Sequence, residues 1–583
     1  MGKNEIIKKV VDTVKDSAIF LLVFIGINIL LSSILFLCHI SISYINILLS
    51  TLLTVLFVLF FYKNKSKKQI VIASVIAIGI FITSIYICSH TYDTTWDGNT
   101  YHKLAIGMMK DGWNPVYQTA ESFIKDDVTQ LGIMDDSRNS IWIEHYPKAS
   151  WIFSANVYSV TNDIEAAKII NVLIMYIAFG LIMNYLYKKT NIIFAFLISF
   201  LTCVNPISIV QAFSYYIDGL MGLCIYIIIY ALVALSDKKI KNEQDSEWFE
   251  KQNWLVLAIT LIICINLKFT GLAYAAIFCI MFFGFWVFRA YKAGVLKERL
   301  IKYISYYVVV VLVAICVVGF SSYIKNILNK GNPLYPLMGK DKIDIMTYNE
   351  PKSFIQRGAV DKFFTSLFGV SENVKSNETD KDPTLKIPFV IKEGEIEEYY
   401  RPDLRISGFG VWFSGIFIIS LCGIIYFLYK FYKAKEYEKF SFVLVFLLIS
   451  SILVVFVDGS WWARYVPYIY LFPILASFLF AEQDKKRYKI VATVICLLLI
   501  VNVGMITYTS LKDTLDNYVS IEREINNIKK INRENGKVEV GLRTDGFPSL
   551  LYNLRDKHIT VVLKDREDLD SPRYVNHFFY ENI

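Results

Sequence analysis

The chain has 583 residues, 55% of them hydrophobic and only 19% charged, with a net charge of +8. That balance excludes an ordinary soluble domain. Its basic residues are spread between apolar runs rather than gathered into a patch, which argues against nucleic acid as a partner and for an all-α polytopic membrane protein.

In chain order, stretches apolar enough to cross about 30 Å of hydrocarbon as helices are expected at 18–41, 45–62, 69–88, 163–187, 191–210, 217–235, 253–268, 271–289, 303–322, 407–429, 440–457, 465–482 and 489–508. The first is too long for a cleavable leader, lacks a small-residue cleavage site and reads as a signal anchor. All nine cysteines fall inside or at the rim of these stretches, and no CxxC or Cys/His cluster suggests zinc or a disulfide framework. Small core hydrophobes are the expectation for them. Lys8 and Lys9, "KNKSKK" at 63–68, Lys188 and Lys189, "DKKIK" at 237–241 and the basic links at 297–302, 430–439 and 485–489 all fall on one side of such an arrangement. A multi-pass cell-membrane protein with a cytoplasmic N-terminus and an extracytoplasmic C-terminus follows from the positive-inside rule.

The opposite side then receives a loop at 89–162, a second at 323–406 and a tail from 509. The expected division is a membrane domain over 1–508 and a small α/β extracytoplasmic domain over 509–583. In the tail, "KVEVGL" and "HITVVL" read as strands and "PSLLYNL" as a helix, after the polar helical "LDNYVSIEREINNIKKI". "HYPKASWIFSANVYSVT" in the first loop is apolar but too short to span, and is expected at the interface or as a re-entrant segment.

Ionisable groups gather at the outer ends of the spans: Asp93, Asp97, His102, Glu144, His145, Lys148, Asp218, Lys268, Asp458 and Arg464. Charge at such depth is costly and tends to face a polar cavity or a partner. Each has a plainer reading. Asp218 could cap the helix that follows it, Lys268 could snorkel, His102 could be a solvated loop residue, Asp93 a loop cap, and the tryptophans belt anchors.

The stretch "WDGNTYHKLAIGMMKDGW" resembles the first-loop motif of the GT-C membrane glycosyltransferases, in the branch of the protein O-mannosyltransferases and lipid A aminoarabinose transferases. Asp97, Tyr101, Ala105, Met108, Gly112 and Trp113 fill the motif's places, and Gly98 replaces its second acidic residue. "EHYPKASW" resembles the family's Lys-Pro segment with Pro147 and Lys148 in swapped order. "YYIDGLMG" supplies Asp218, "NLKFTGLAY" Lys268 and Gly271, and "WWARYVPYIYLFP" Arg464 and Tyr465. Poorly characterised envelope-polysaccharide members share "GNPLYP" (Gly331–Pro336) and "WWARY".

The resemblance implies a GT-C fold, a polyprenyl-phosphate-linked sugar as donor, an acceptor outside the cytoplasm, and independence of metal. Asp97 is then expected as the base that takes the acceptor's proton, and Arg464 and Lys268 as the cations that hold the donor phosphate. Asp93, Tyr101, His102, Glu144, His145, Lys148, Asp218 and Tyr465 are expected to line the pocket. One base with direct displacement implies inversion; two catalytic carboxylates about 5 Å apart would imply retention. No cofactor is expected, although Asp93, Asp97, Glu144 and His145 leave a divalent metal open without ligand-motif spacing. Two alternatives remain: a polyprenyl-linked glycan transporter, against which the lack of internal repeats counts, and a polysaccharide polymerase or ligase, for which Arg357, Arg401 and Arg405 in the second loop speak.

Overall fold

A computed structural model describes residues 3–126, 137–237, 246–372, 382–542, 549–565, 573–575 and 578–581. Among them, eleven helices are long and apolar enough to cross a membrane, in keeping with an all-α, multi-pass membrane protein. The two other stretches expected to span, 191–210 and 465–482, form shorter apolar helices, Ile192–Cys203 and Pro467–Ala481. Proline explains the first. Pro206 opens a new helical turn, Pro206–Val210, capped by the Asn205 side chain, so the stretch is a short helix followed by a separate turn rather than one continuous helix.

The helix Asp218–Ser236 lies at the centre of the bundle, with 89% of its apolar window buried, against 22% for Tyr44–Phe61 and 17% for Lys67–Ser89. The bundle's two ends differ chemically. One collects the basic links: Lys189 pairs with Asp237, Arg289 with Glu438 and Lys302 with Glu250, while Lys188 lies over Phe249. The other collects both long loops and the residues around Arg464.

The segment expected at the interface or as a re-entrant piece is the helix Ala149–Thr161, buried through Tyr158. Asn156 on it donates to Asn28 and Ser32 of the first helix, Lys3–Leu37. It packs inside the protein because it carries apolar residues all round rather than on one face. Six of the cysteines are buried, but Cys38, Cys316 and Cys422 are exposed and so are not core residues.

The final span does not stop at 508. It runs on as one helix, Lys486–Asn535, because no proline interrupts "TYTSLKDTLDNYVSIEREINNIKKINREN", and it ends at Gly536 in the left-handed conformation (φ 75°). Among the described residues four strands follow: β1 (Val538–Leu542), β2 (Val561–Asp565), β3 (Arg573–Val575) and β4 (Phe578–Glu581), in the order β2-β1-β4-β3. β1 and β2 are parallel, with the helix Leu550–Asp556 between them in sequence; β4 is antiparallel to β1 and to β3. The strands expected at "KVEVGL" and "HITVVL" are β1 and β2, whereas β3 and β4 carried no clear sequence signal. Ile521, Ile525 and Ile528 of the long helix share one core with Val538, Val540 and Leu554.

Candidate functional site

The backbone around Asp97 is fixed by its neighbours. The Asp93 carboxylate accepts from the amides of Thr95 and Tyr215, both at 2.8 Å, which ties the first loop to the segment before helix Asp218–Ser236. Asn99 donates to the carbonyls of Asp93 and Thr95 at 2.8 and 2.9 Å. A Cβ at Gly98 would collide with the Asp93 carboxylate and the Thr95 hydroxyl. Gly98–His102 form a π-helical turn that leads into helix Lys103–Lys110, a distortion often found at functional sites.

Asp97 is thereby turned towards Arg464. The Nη1 atom of Arg464 lies 3.5 Å from Asp97 Oδ2, 3.4 Å from Asp218 Oδ2 and 3.3 Å from Asp403 Oδ1. Lys268 completes the cluster, its Nζ 2.7 Å from Asp218 Oδ1. Five residues from five parts of the chain meet here. Asp218 begins its helix without capping it, since its carboxylate is spent on Lys268 and Arg464. Lys268 points into the cluster rather than out to solvent, and lies over the Tyr465 ring at 4.6 Å. The Arg464 guanidinium lies over Trp462 at 4.0 Å, and Tyr274 donates to the Tyr465 carbonyl. Asp218 and Arg464 are buried, but the side chains of Asp97 and Asp403 keep 27% and 29% of their surface exposed, so these two carboxylates form the open face.

Burial pushes the Asp97 carboxyl up to about 6; Arg464 pulls it down, Asp403 and Asp218 push it up, and Lys268 pulls it down again. Burial lowers His102 to about 3, so its ring is neutral at ordinary pH. Trp151 Nε1 donates to His102 Nδ1 at 2.7 Å, which leaves the hydrogen of the neutral ring on Nε2. Tyr101 packs between His102 and Tyr146, and burial raises its hydroxyl well above the usual tyrosine range.

The remaining expected pocket residues lie elsewhere. Glu144 accepts from the Ala120 amide and pairs with Lys325 at 2.9 Å, and His145 Nδ1 bonds Asn326 at 2.6 Å. Lys148 donates to the carbonyls of Glu144 and Tyr146 and to Ser322, and burial pushes its amine down to about 7. This second cluster fastens helix Ser137–His145 to the segment around 322–326. Both Asp93 oxygens accept from backbone amides, and Glu144, His145 and Lys148 bond within the first loop and to the segment around 322–326 rather than to Arg464 or Lys268. Asp458, at the same end, pairs with Lys362 at 3.0 Å.

Sequence reasoning missed Asp403, Tyr216 and Trp462 as members of the cluster. Tyr216 donates to Asp403 at 3.1 Å and the Trp462 indole to its carbonyl at 2.5 Å. Gln211 ties them together, donating to the Pro402 carbonyl and accepting from the Gly219 amide. "RPDLR" carries no periodicity to single out its aspartate; the one available signal was a carboxylate between Arg401 and Arg405. No described protein family matches the chain, and neither a curated protein nor a solved structure does.

Proposed function

We propose that the protein is a membrane glycosyltransferase of the GT-C type, which moves a sugar from a polyprenyl-phosphate donor to an acceptor outside the cytoplasm, with inversion. The observation that carries the reading is the Arg464 guanidinium: it is buried, its Nε and Nη1 hold no hydrogen bond among the described residues, and it faces Asp97 at 3.5 Å. Buried donors of this kind call for an acceptor, and an arginine edge matches two phosphate oxygens. Asp97, on the open side, has a proton affinity suited to a base working near neutrality.

In the reaction, Asp97 takes the proton of the acceptor hydroxyl as its oxygen attacks the anomeric carbon. The bond from that carbon to the phosphate oxygen breaks, and its electron pair leaves with the phosphate, where Arg464 and Lys268 offset the growing charge. A lipid-borne donor accounts for placing such a cluster at the ends of membrane helices, since the isoprenoid chain stays in the bilayer while its phosphate reaches the rim.

Mass spectrometry of lipid retained by the purified protein, followed by transfer assays with the polyprenyl-phosphate sugar it identifies, tests the reading. Asp97→Asn is expected to lower transfer by about 10²- to 10⁴-fold while leaving expression and thermal stability unchanged. Near-normal transfer by that variant would remove Asp97 as the base.

A further inference from the structure

The side chain of Asp97 has one ion-pair contact, at 3.5 Å, and no hydrogen bond among the described residues, so its position is set by the backbone that carries it. That backbone is gripped from the far end of the chain. The helix Leu550–Asp556, some 450 positions away in sequence, is set into the first loop. Ser549 Oγ donates to the Asn99 carbonyl at 2.6 Å. Asn553 accepts from Lys103 Nζ at 3.2 Å and donates to Glu165 at 2.8 Å. The Tyr552 ring lies directly on Gly107, and Arg555 pairs with Asp111 at 2.6 Å. Asp556 accepts from the Tyr158 hydroxyl and the Ile164 amide at 2.6 and 2.7 Å.

Asn99, Lys103, Gly107 and Asp111 follow one another at intervals of four, so they form one stripe of the helical run that starts just after Asp97. The opposite side of that run presents Tyr101 and His102 to Tyr146 and Trp151. The grip is itself anchored. Leu550 and Leu554 share a core with Val538 and Val540 of β1 and with Ile521 and Ile525 of the helix that begins at Lys486, at the other end of the bundle.

We propose that the C-terminal segment is a clamp that holds the first loop in register with Arg464, with Tyr552 and Asn553 as positioning residues. Their link to catalysis rests on the reading of Asp97 as the base; the mechanical coupling does not.

Gly107→Ala is the direct test. Alanine favours helix more than glycine does, so any loosening comes from the new methyl group, which would collide with the Tyr552 ring. In hydrogen exchange on the full-length protein in lipid nanodiscs, peptides covering 98–110 and 549–556 should both exchange at least about tenfold faster. Adding Tyr552→Leu, which trims the ring where it meets the methyl group but keeps an apolar side chain packed on the helix, should return protection to 98–110. Asn553→Leu, which removes the tie to Lys103 and Glu165 at similar volume, serves should Gly107→Ala not fold. Release of 549–556 with 98–110 exchanging as before would overturn the clamp, and so would no change in either segment in both variants.

Once a transfer assay exists, the acid midpoint of the pH–rate profile should move in Gly107→Ala. A profile merely scaled down, with its midpoint unmoved, would overturn the positioning role. Exchange needs no substrate, so failure there leaves the proposed activity standing, and an active Asp97→Asn leaves the clamp standing.

Discussion

At the scale of single residues, the cluster is a contest for one arginine. Three carboxylates approach Arg464 Nη1, and two of them, Asp97 and Asp403, are partly exposed. Their charges interact, which makes the pH dependence a sharp test. With Asp97 as base, kcat/KM should fall tenfold per unit as pH drops below about 6 and be level above it, because only the ionised carboxylate accepts a proton. The groups acting on it are Arg464 and Lys268, which favour ionisation, and Asp403 and Asp218, which oppose it. Asp403→Asn removes an opposing charge, so the limb should move to lower pH; a limb that moves up or stays put would remove Asp403 from the electrostatics of the base. Asp97, Lys268 and Arg464 were legible in the sequence because each stands where an apolar run ends, a place where charge needs a reason. Asp403 was not, because a loop residue has no apolar surroundings to make its charge conspicuous. Nor could spacing tell that Asp93, four residues from Asp97, spends both oxygens on backbone amides.

At the scale of elements, the first loop is built on buried charge. Glu165 lies between Lys103 and Lys168, at 2.7 and 2.5 Å, with all three side chains almost fully enclosed. Burial alone would raise the Glu165 carboxyl, but the two ammonium groups outweigh it and bring it down to about 2. Glu165→Gln keeps the shape and removes the charge, leaving two ammonium groups enclosed without their counterion. It should cost about 3–5 kcal/mol, read as a loss of thermal stability. A folded-state value below the unfolded one means that the contribution of Glu165 is whole above about pH 5 and is lost as pH falls from about 4 towards 2. Destabilisation by Glu165→Gln should therefore be large at pH 7 and shrink in acid; an equal loss at both would mean that packing, not charge, is at stake. Nothing in the sequence singled out Lys103 or Lys168, and part of the triad's environment comes from Asn553, far along the chain, so no local pattern revealed it. The same limit hid the break at Asn205–Pro206 within an apolar run, where hydropathy reported the composition of a span and proline set the length of its helix.

At the scale of the whole molecule, the long final helix decides how the ends relate. Fifty residues at 1.5 Å each make about 75 Å, of which about 30 Å crosses hydrocarbon, so roughly 45 Å stands outside and carries the sheet. Because Leu550–Asp556 packs on the loop that bears Asp97, the sheet and the Arg464 cluster share one end of the bundle, and the basic links share the other. Hydropathy and basic links made this two-ended plan legible; the return of the tail onto the first loop was not, since it depends on contacts between segments hundreds of residues apart. The positive-inside rule assigns the basic end to the cytoplasm. With the exposed Cys38, Cys316 and Cys422 replaced by alanine, single cysteines at the exposed positions Ser66, Glu393 and Lys537 separate the two claims. In intact cells, a membrane-impermeant maleimide should label Glu393→Cys and Lys537→Cys and spare Ser66→Cys until the membrane is opened. The reverse pattern would keep the two-ended architecture but turn the site inward, where nucleotide sugars are at hand and a lipid-borne donor loses its rationale. Labelling of Glu393→Cys without Lys537→Cys would place the tail and the second loop on opposite faces, and the tail could then not reach the loop it is packed against.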